Sequence, residues 1–307
     1  MGSPMDSTYG AMFIGGGDFT SLQTAKFLTT RLVLFATFFQ GVLTVQAYLY
    51  FENFPEDRRR VKLLVATVWI LDAIHLVLIC QACYHYLITS WGNDAALLIS
   101  TKELDLHLIF VGLAMLVCQG FFIYRILSLS NNWWLTTVLS AACLIAFALE
   151  VAISAQILQV SSVTYFNEHT GEVVALFAMG GAVDFAITLV LVFYLQQGKT
   201  QFDLTNFVLA RVIHYSVATG LVTSVLAVAC LITYLVLPHT FIFIAMHFSL
   251  GRLYTNALLA TLNSRRILRR AALTVMTTRV VTSTVDDDYP MALRSTKDLP
   301  EPPTPRS

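Results

Sequence analysis

The sequence predicts an all-α, polytopic membrane protein, folded as a bundle of seven transmembrane helices. Its 307 residues are 56% hydrophobic and only 12% charged, with mean hydropathy +0.69, whereas soluble domains are about 25% charged. Seven apolar stretches reach the roughly 20 residues that a helix needs to cross a bilayer, and none alternates as membrane strands do. The 19 basic and 19 acidic residues cancel, so no net field predicts nucleic-acid binding.

The seven predicted spans follow one another along the chain. They run over Arg31–Phe51, Leu63–Cys83, Leu106–Tyr124, Trp134–Leu158, Val173–Leu195, Val212–Leu237 and Phe241–Ala260. Only Pro238, His239 and Thr240 separate the last two. A tight turn is predicted there, because the combined apolar run is too long for a single crossing of the roughly 30 Å hydrocarbon core.

Basic residues close to the spans predict the orientation. Eleven lie at one end of the bundle: Arg58, Arg59, Arg60, Lys62, Arg125, Lys199, Arg211, Arg265, Arg266, Arg269 and Arg270. Three lie at the other end: Lys26, Arg31 and Lys102. The excess of positive charge on cytoplasmic loops therefore predicts that the C-terminus is in the cytoplasm and the N-terminus is outside.

Composition divides the chain into four segments. Residues 1–30 are predicted as an N-terminal extracytoplasmic segment and residues 31–260 as the seven-helix domain. Residues 261–279 read as a basic amphipathic helix on the anionic inner leaflet, or alternatively as a stop-transfer charge cluster. Residues 280–307 have the composition of a disordered cytoplasmic tail.

Ionisable residues within the spans define the candidate site, since a charge in hydrocarbon is costly and usually faces the bundle interior. This predicted polar centre consists of Asp72, His75, Glu150, Asp184, His247 and Arg252. At a 1.5 Å rise per residue, Asp72, Asp184 and Arg252 lie within about 3 Å of the midplanes of their spans. Arg252 requires a buried anion, and we expect Asp184 to be its partner, with Glu150 as second choice.

Asp72 and His75, spaced i, i+3, lie on one face of the second span. Such a pair favours, in this order, structural hydrogen bonding between helices, a ligand or proton-transfer site, or a pair of metal ligands. The last span has no H-x-x-x-H motif that would complete a regular zinc site, so neither a metal nor a cofactor is predicted. His107 and His214 lie near span ends, where we expect water to reach them.

In the seventh predicted helix and its continuation past Ala260, Arg252, Asn256 and Asn263 lie on one helical face and form a predicted polar stripe. No lysine lies within any span, which excludes a retinal Schiff base. No P-loop and no G-x-S-x-G motif is present, so the sequence predicts no enzyme.

The prolines avoid span interiors, which predicts straight helices. All five cysteines lie in predicted helices and are expected to be free thiols.

The last part of the chain resembles a known family. The run Ser249–Arg265 contains Tyr254, Asn256 and Asn263 and resembles the C-terminal signature R-x-Y-x-N-x-L-L-A-x-L-N-x-R. That signature belongs to a large family of seven-helix membrane proteins of unknown function, expanded in mushroom-forming fungi. Further similarities lie in Tyr50-Phe51, Phe54–Arg58, Trp69, Leu71–His75, Thr219-Gly220 and Thr223-Ser224. The resemblance implies the fold and a multi-pass membrane location, and it carries no activity, ligand or catalytic residue.

The chain departs from that family before its first span. The family's G-A-x-F-I-G start matches Gly10–Gly15. Residues 16–33 separate this motif from Leu34-Phe35, whereas family members run from it directly into the first helix. Two interpretations stay open, a true insertion or an artefact of the gene model.

Three functions follow from these observations. The first is a receptor-like or sensor protein, which implies a small-molecule ligand at the polar centre and a protein partner at the basic cytoplasmic face, beside the lipid bilayer itself. The second is a membrane scaffold in which the polar centre only holds helices together. The third is a proton-coupled carrier or membrane-embedded hydrolase that uses Asp72, His75 and His247.

Overall fold

The described part of the chain is all-α. The computed structural model describes residues 30–31, 33–90, 99–160, 169–197, 203–236, 243 and 246–265, with only the backbone of 203–219. The helices are α1 Val33–Asn53, α2 Arg59–Tyr84, α3 Lys102–Ser130, α4 Trp133–Val160, α5 Thr170–Gln197, α6 Asp203–Val236 and α7, residues 246–265. Within these ranges no β-sheet forms. Helices α1 to α5 are long and apolar enough to cross a membrane, as expected of a multi-pass membrane protein.

The helices extend beyond the predicted apolar spans because polar residues end them. The Thr101 hydroxyl accepts a hydrogen bond from the Leu104 amide and caps the start of α3. Asn131 adopts the left-handed conformation at φ 51° and closes α3. The Asn132 side chain then accepts from the Leu135 amide and starts α4. These caps place α3 and α4 side by side across a very short turn.

The end of α2 differs from the straight helix predicted for it. Residues His85–Thr89 form a π-helical turn, and no proline or glycine in the sequence marks it. The Tyr86 hydroxyl donates to the Ile99 carbonyl at 2.9 Å and accepts from the Thr101 amide at 3.1 Å. The widened turn thus brings Tyr86 to the residues that precede α3. Such turns are frequent near functional sites.

Helix α3 is the centre of the bundle. Half of its most apolar window is buried, against 28 to 33% for the windows of α1, α2, α4 and α5. It packs against α2, α4 and α5, and α5 packs against α4 and α6. Large apolar side chains on the outer faces stay exposed, including Phe38, Val77, Val138, Leu189 and Val225. This is the surface expected of helices in lipid contact.

Helices α1 and α7 run parallel to each other. The Asn256 side-chain amide donates to the Phe39 carbonyl at 3.2 Å, and that of Asn263 donates to the Gln46 carbonyl at 2.9 Å. Both donors lie 217 residues after their acceptors, so the two helices advance together. The polar stripe of α7 therefore faces α1.

Several predictions lie outside the described residues: the N-terminal segment, the turn at 238–240, the basic helix beyond 265 and the tail. The unit that contains the described helices ends at Ser264.

All five cysteines are free thiols, as predicted, with Cys118, Cys143 and Cys230 buried and Cys80 exposed.

Candidate functional site

Arg252 is completely buried where α7 meets α1 and α2. Its Nη1 donates to Asp72 Oδ2 at 2.7 Å and also to Gln40 Oε1. Its Nη2 donates to the Asp72 carbonyl oxygen at 3.1 Å. One guanidinium therefore joins three helices, using the fork geometry that distinguishes arginine from lysine.

The partner predicted for Arg252 was wrong. Asp184 lies at a similar depth, but the ion pair forms with Asp72. Depth along a helix axis follows from sequence position, whereas the choice between two acids at equal depth depends on which helices are neighbours. The contacts of the polar stripe set α7 against α1, and the bonds of Arg252 join it to α2.

Three imidazoles form a row between Arg252 and Glu150. The Nδ1 of His75 lies 3.3 Å from Arg252 Nη2, and its ring stacks on that of His107 at 5.6 Å between centroids. The ring of His107 lies 6.3 Å from that of His247, and His247 Nε2 lies 3.8 Å from Glu150 Oε1. We call these residues, His75, His107 and His247, the histidine row. His107 was expected to reach water but is only 2% exposed, because α2 and α7 cover its end of α3.

The histidine row is incompletely hydrogen-bonded. Within the described part of the chain, His75 Nε2, His107 Nε2, His247 Nδ1 and Glu150 Oε1 have no hydrogen-bond partner. Buried polar atoms are nearly always bonded in folded proteins, and ionisable groups inside a bilayer usually mark a functional path. Over the same residues, no three His, Cys, Asp or Glu side chains come together as metal ligands.

Asp184 is held by a second polar cluster, formed by α3, α5 and α7. Its Oδ1 accepts hydrogen bonds from Gln119 Nε2 at 2.9 Å and from the Tyr254 hydroxyl at 2.6 Å. Among the described residues, no salt bridge reaches Asp184 and its Oδ2 is without a partner. We call Asp184, Gln119 and Tyr254 the carboxylate cluster.

Three small cavities lie along these clusters. The first, about 30 Å³, is lined by Ser100, Asp105, His107 and His247 among apolar side chains. The second, about 40 Å³, is lined by His247, Glu150, Gln119 and Cys143. The third, about 20 Å³, is lined by Tyr254, Thr188 and Thr223. A water molecule needs roughly 10–15 Å³ of such space, so each cavity has room for one to three waters.

The cavities are connected by shared or bonded side chains. His247 lines both the first and the second cavity. Gln119 lines the second cavity and donates to Asp184, which also accepts from Tyr254 at the third. Polar groups thus continue from the start of α3 to the middle of α5 and α7.

Sequence reasoning missed Gln40, Gln119 and Asp105. The two amides carry no charge and escaped a search for ionisable residues, although neutral polar side chains also bond across membrane helices. Asp105 was passed over because it precedes the third predicted span. It is 3% exposed and accepts a hydrogen bond from the Ser100 hydroxyl. The side chain of His214 lies outside the described residues.

Residues 180–267 match the model of a family of unknown function (DUF6534). This segment is less than a third of the chain and contains Asp184, His247, Tyr254 and the polar stripe of Arg252, Asn256 and Asn263. Asp72, His75 and Glu150 lie before it. No curated protein and no solved structure matches the chain. The match is thus similarity to a family without assigned activity, and the fungal origin and the C-terminal signature stay predictions.

Proposed function

We propose that the chain is a seven-helix membrane protein, with its N-terminus outside and its C-terminus in the cytoplasm, whose interior transfers protons. The parallel direction of α1 and α7 supports seven crossings, because six reversals of direction return a chain to its starting direction. The eleven basic residues at the end that holds the C-terminus support the orientation.

Two cysteine substitutions test the topology. Glu56 follows α1 and Lys102 begins α3, and both side chains are exposed. In intact cells we expect a membrane-impermeant maleimide to label Lys102→Cys and to reach Glu56→Cys only after permeabilisation. The unmodified chain, whose cysteines all lie in helices, gives the background. Labelling of Glu56→Cys in intact cells would contradict the proposed orientation and would indicate the opposite one.

The histidine row carries the proposal of proton transfer. A neutral imidazole accepts a proton at one nitrogen and releases one from the other, near physiological pH. In the row, three such rings are buried with ring nitrogens that no described residue binds. The first cavity, which His107 and His247 line, and the second, which His247 and Glu150 line, each have room for a bridging water.

The three cavities beside the polar clusters suit water rather than an organic ligand. They measure about 20–40 Å³, whereas pockets for small organic ligands measure roughly 300–1,000 Å³. The scaffold hypothesis accounts for Arg252 and its bonds to Gln40 and Asp72. It gives no reason for three buried histidines with unbonded nitrogens, since apolar side chains would pack there at lower cost.

Proton flux into liposomes tests the proposed function. Purified protein is reconstituted with a pH-sensitive dye inside, and a potassium gradient with valinomycin provides the driving force. We expect acidification faster than in protein-free liposomes, and at least tenfold slower flux for His247→Leu, because His247 joins the first two cavities. His85→Leu is the matched control, since His85 lies in the π-helical turn outside the row. If the wild-type flux equals that of protein-free liposomes, proton transfer is contradicted and the scaffold hypothesis is favoured.

A further inference from the structure

The carboxylate of Glu150 occupies a notch that only glycine leaves open. Glu150 lies on α4 and is 6% exposed. Its carboxylate lies directly over Gly112 of α3, where an added Cβ would collide with Glu150 Oε2 and Cδ. The position of this carboxylate therefore depends on the absence of a side chain at residue 112.

The notch places Glu150 beside His247 at the second cavity, which both side chains line. His247 Nε2 lies 3.8 Å from Glu150 Oε1. Gln119 from α3 and Cys143 from α4 line the same cavity. From α5 and α6 this cavity receives only apolar residues and glycines, including Phe177, Gly181 and Ala227. Among the described residues that line this cavity, His247 is the basic group facing Glu150.

The other end of the row is a poor route for protons. His75 Nδ1 faces Arg252 Nη2, and an arginine side chain stays charged in proteins. Asp72 pairs with Nη1, which leaves Nη2 as the side directed at His75. A second positive charge on His75 would be repelled by the guanidinium. Two acids share a cavity with His247, Asp105 at the first and Glu150 at the second. Of these, Glu150 has a carboxylate oxygen 3.8 Å from His247 Nε2 and lies on the side of the carboxylate cluster.

We infer that Glu150 accepts the proton from His247 and passes it through the second cavity towards the carboxylate cluster, and that Gly112 positions it. In this step the proton leaves His247 Nε2 and binds a Glu150 carboxylate oxygen, so no other bond changes. The next acceptor is the Asp184 carboxylate, which the proton reaches through water molecules beside Gln119. The inference rests on the proposed function and names the residue that links the two halves of its path.

Four variants in the full-length protein test the inference by the same liposome assay. We expect Glu150→Gln to lower flux at least tenfold and Glu150→Asp to retain part of it, because a shorter carboxylate keeps the chemistry. Gly112→Ala displaces the carboxylate and is expected to lower flux severalfold. Gly120→Ala, on the same helix with nothing within 4 Å of its added Cβ, is expected to match the wild type. Wild-type flux in Glu150→Gln would overturn the inference while leaving the proposed function intact.

Infrared difference spectroscopy provides a readout independent of flux. A step in external pH is expected to change a carboxylic C=O stretching band that disappears in Glu150→Gln, shifts in Gly112→Ala and is unchanged in Gly120→Ala. If this band changes but no net flux is measured, Glu150 exchanges protons with the external solution, and only proton transfer across the membrane is refuted. A wild-type difference spectrum identical to that of Glu150→Gln would overturn the inference, whatever the flux.

Discussion

Replacing Arg252 by methionine is expected to destabilise the protein by about 3–5 kcal/mol, the loss typical when one partner of a buried ion pair is removed. Methionine is apolar and of similar length, so it fills most of the space. It leaves the Asp72 carboxylate buried at 1% exposure, without its cation, and removes the donor to Gln40. The free energy of unfolding, measured by denaturation in mixed micelles, gives the magnitude.

A double-mutant cycle separates the pair from its surroundings. Because Asp72→Asn removes the unpaired charge, Asp72→Asn with Arg252→Met is expected to recover much of the stability that Arg252→Met loses. Arg252→Lys retains the charge but not the fork that reaches both the Asp72 carboxylate and the Asp72 backbone carbonyl, so an intermediate loss is expected. If the double variant is no more stable than Arg252→Met, the ion pair is not the reason for the loss.

Sequence reasoning found the helices but not their neighbours. The first five predicted spans correspond to described helices that are long and apolar enough to cross a membrane, and the described parts of the last two are helical. The length of an apolar run and the charge at its ends depend on local sequence alone. The partner of Arg252 depends on lateral packing, which no periodicity in one helix encodes. For this reason the depth of the residues predicted Asp184 as the ion-pair partner of Arg252. The packing of α1, α2 and α7 instead brings Asp72 to Arg252.

The histidine row shows the same limit more clearly. His75, His107 and His247 come from three helices, and they meet because α3 is central and α7 packs across its start. The sequence predicted that His75 and His247 lie within the membrane, but it placed His107 at the end of a span, where water was expected to reach it. Uncharged Gln40 and Gln119 show that a search for polar groups in spans needs to include amides. The all-α class and the long apolar helices were thus predictable from composition, whereas the site depended on tertiary contacts.

Replacing Asp184 by valine is expected to destabilise the carboxylate cluster by about 1–3 kcal/mol for each donor left without an acceptor. Two donors are affected, Gln119 Nε2 and the Tyr254 hydroxyl, and both residues are at most 5% exposed. Asp184→Asn is nearly isosteric and keeps an oxygen that accepts from both, so a much smaller loss is expected. Unfolding in mixed micelles measures both variants on the same scale.

The two Asp184 variants also separate structure from proton transfer. If Asp184 only holds α3, α5 and α7 together, Asp184→Asn keeps both stability and flux. If it also receives protons beyond the second cavity, Asp184→Asn keeps stability but loses flux, because an amide does not take up a proton under these conditions. Tyr254→Phe is the control, since it removes one donor to Asp184 and leaves the carboxylate in place. A loss of flux in Asp184→Asn with near-normal flux in Tyr254→Phe would therefore identify the titratable oxygen, rather than the hydrogen-bonded cluster, as the functional element.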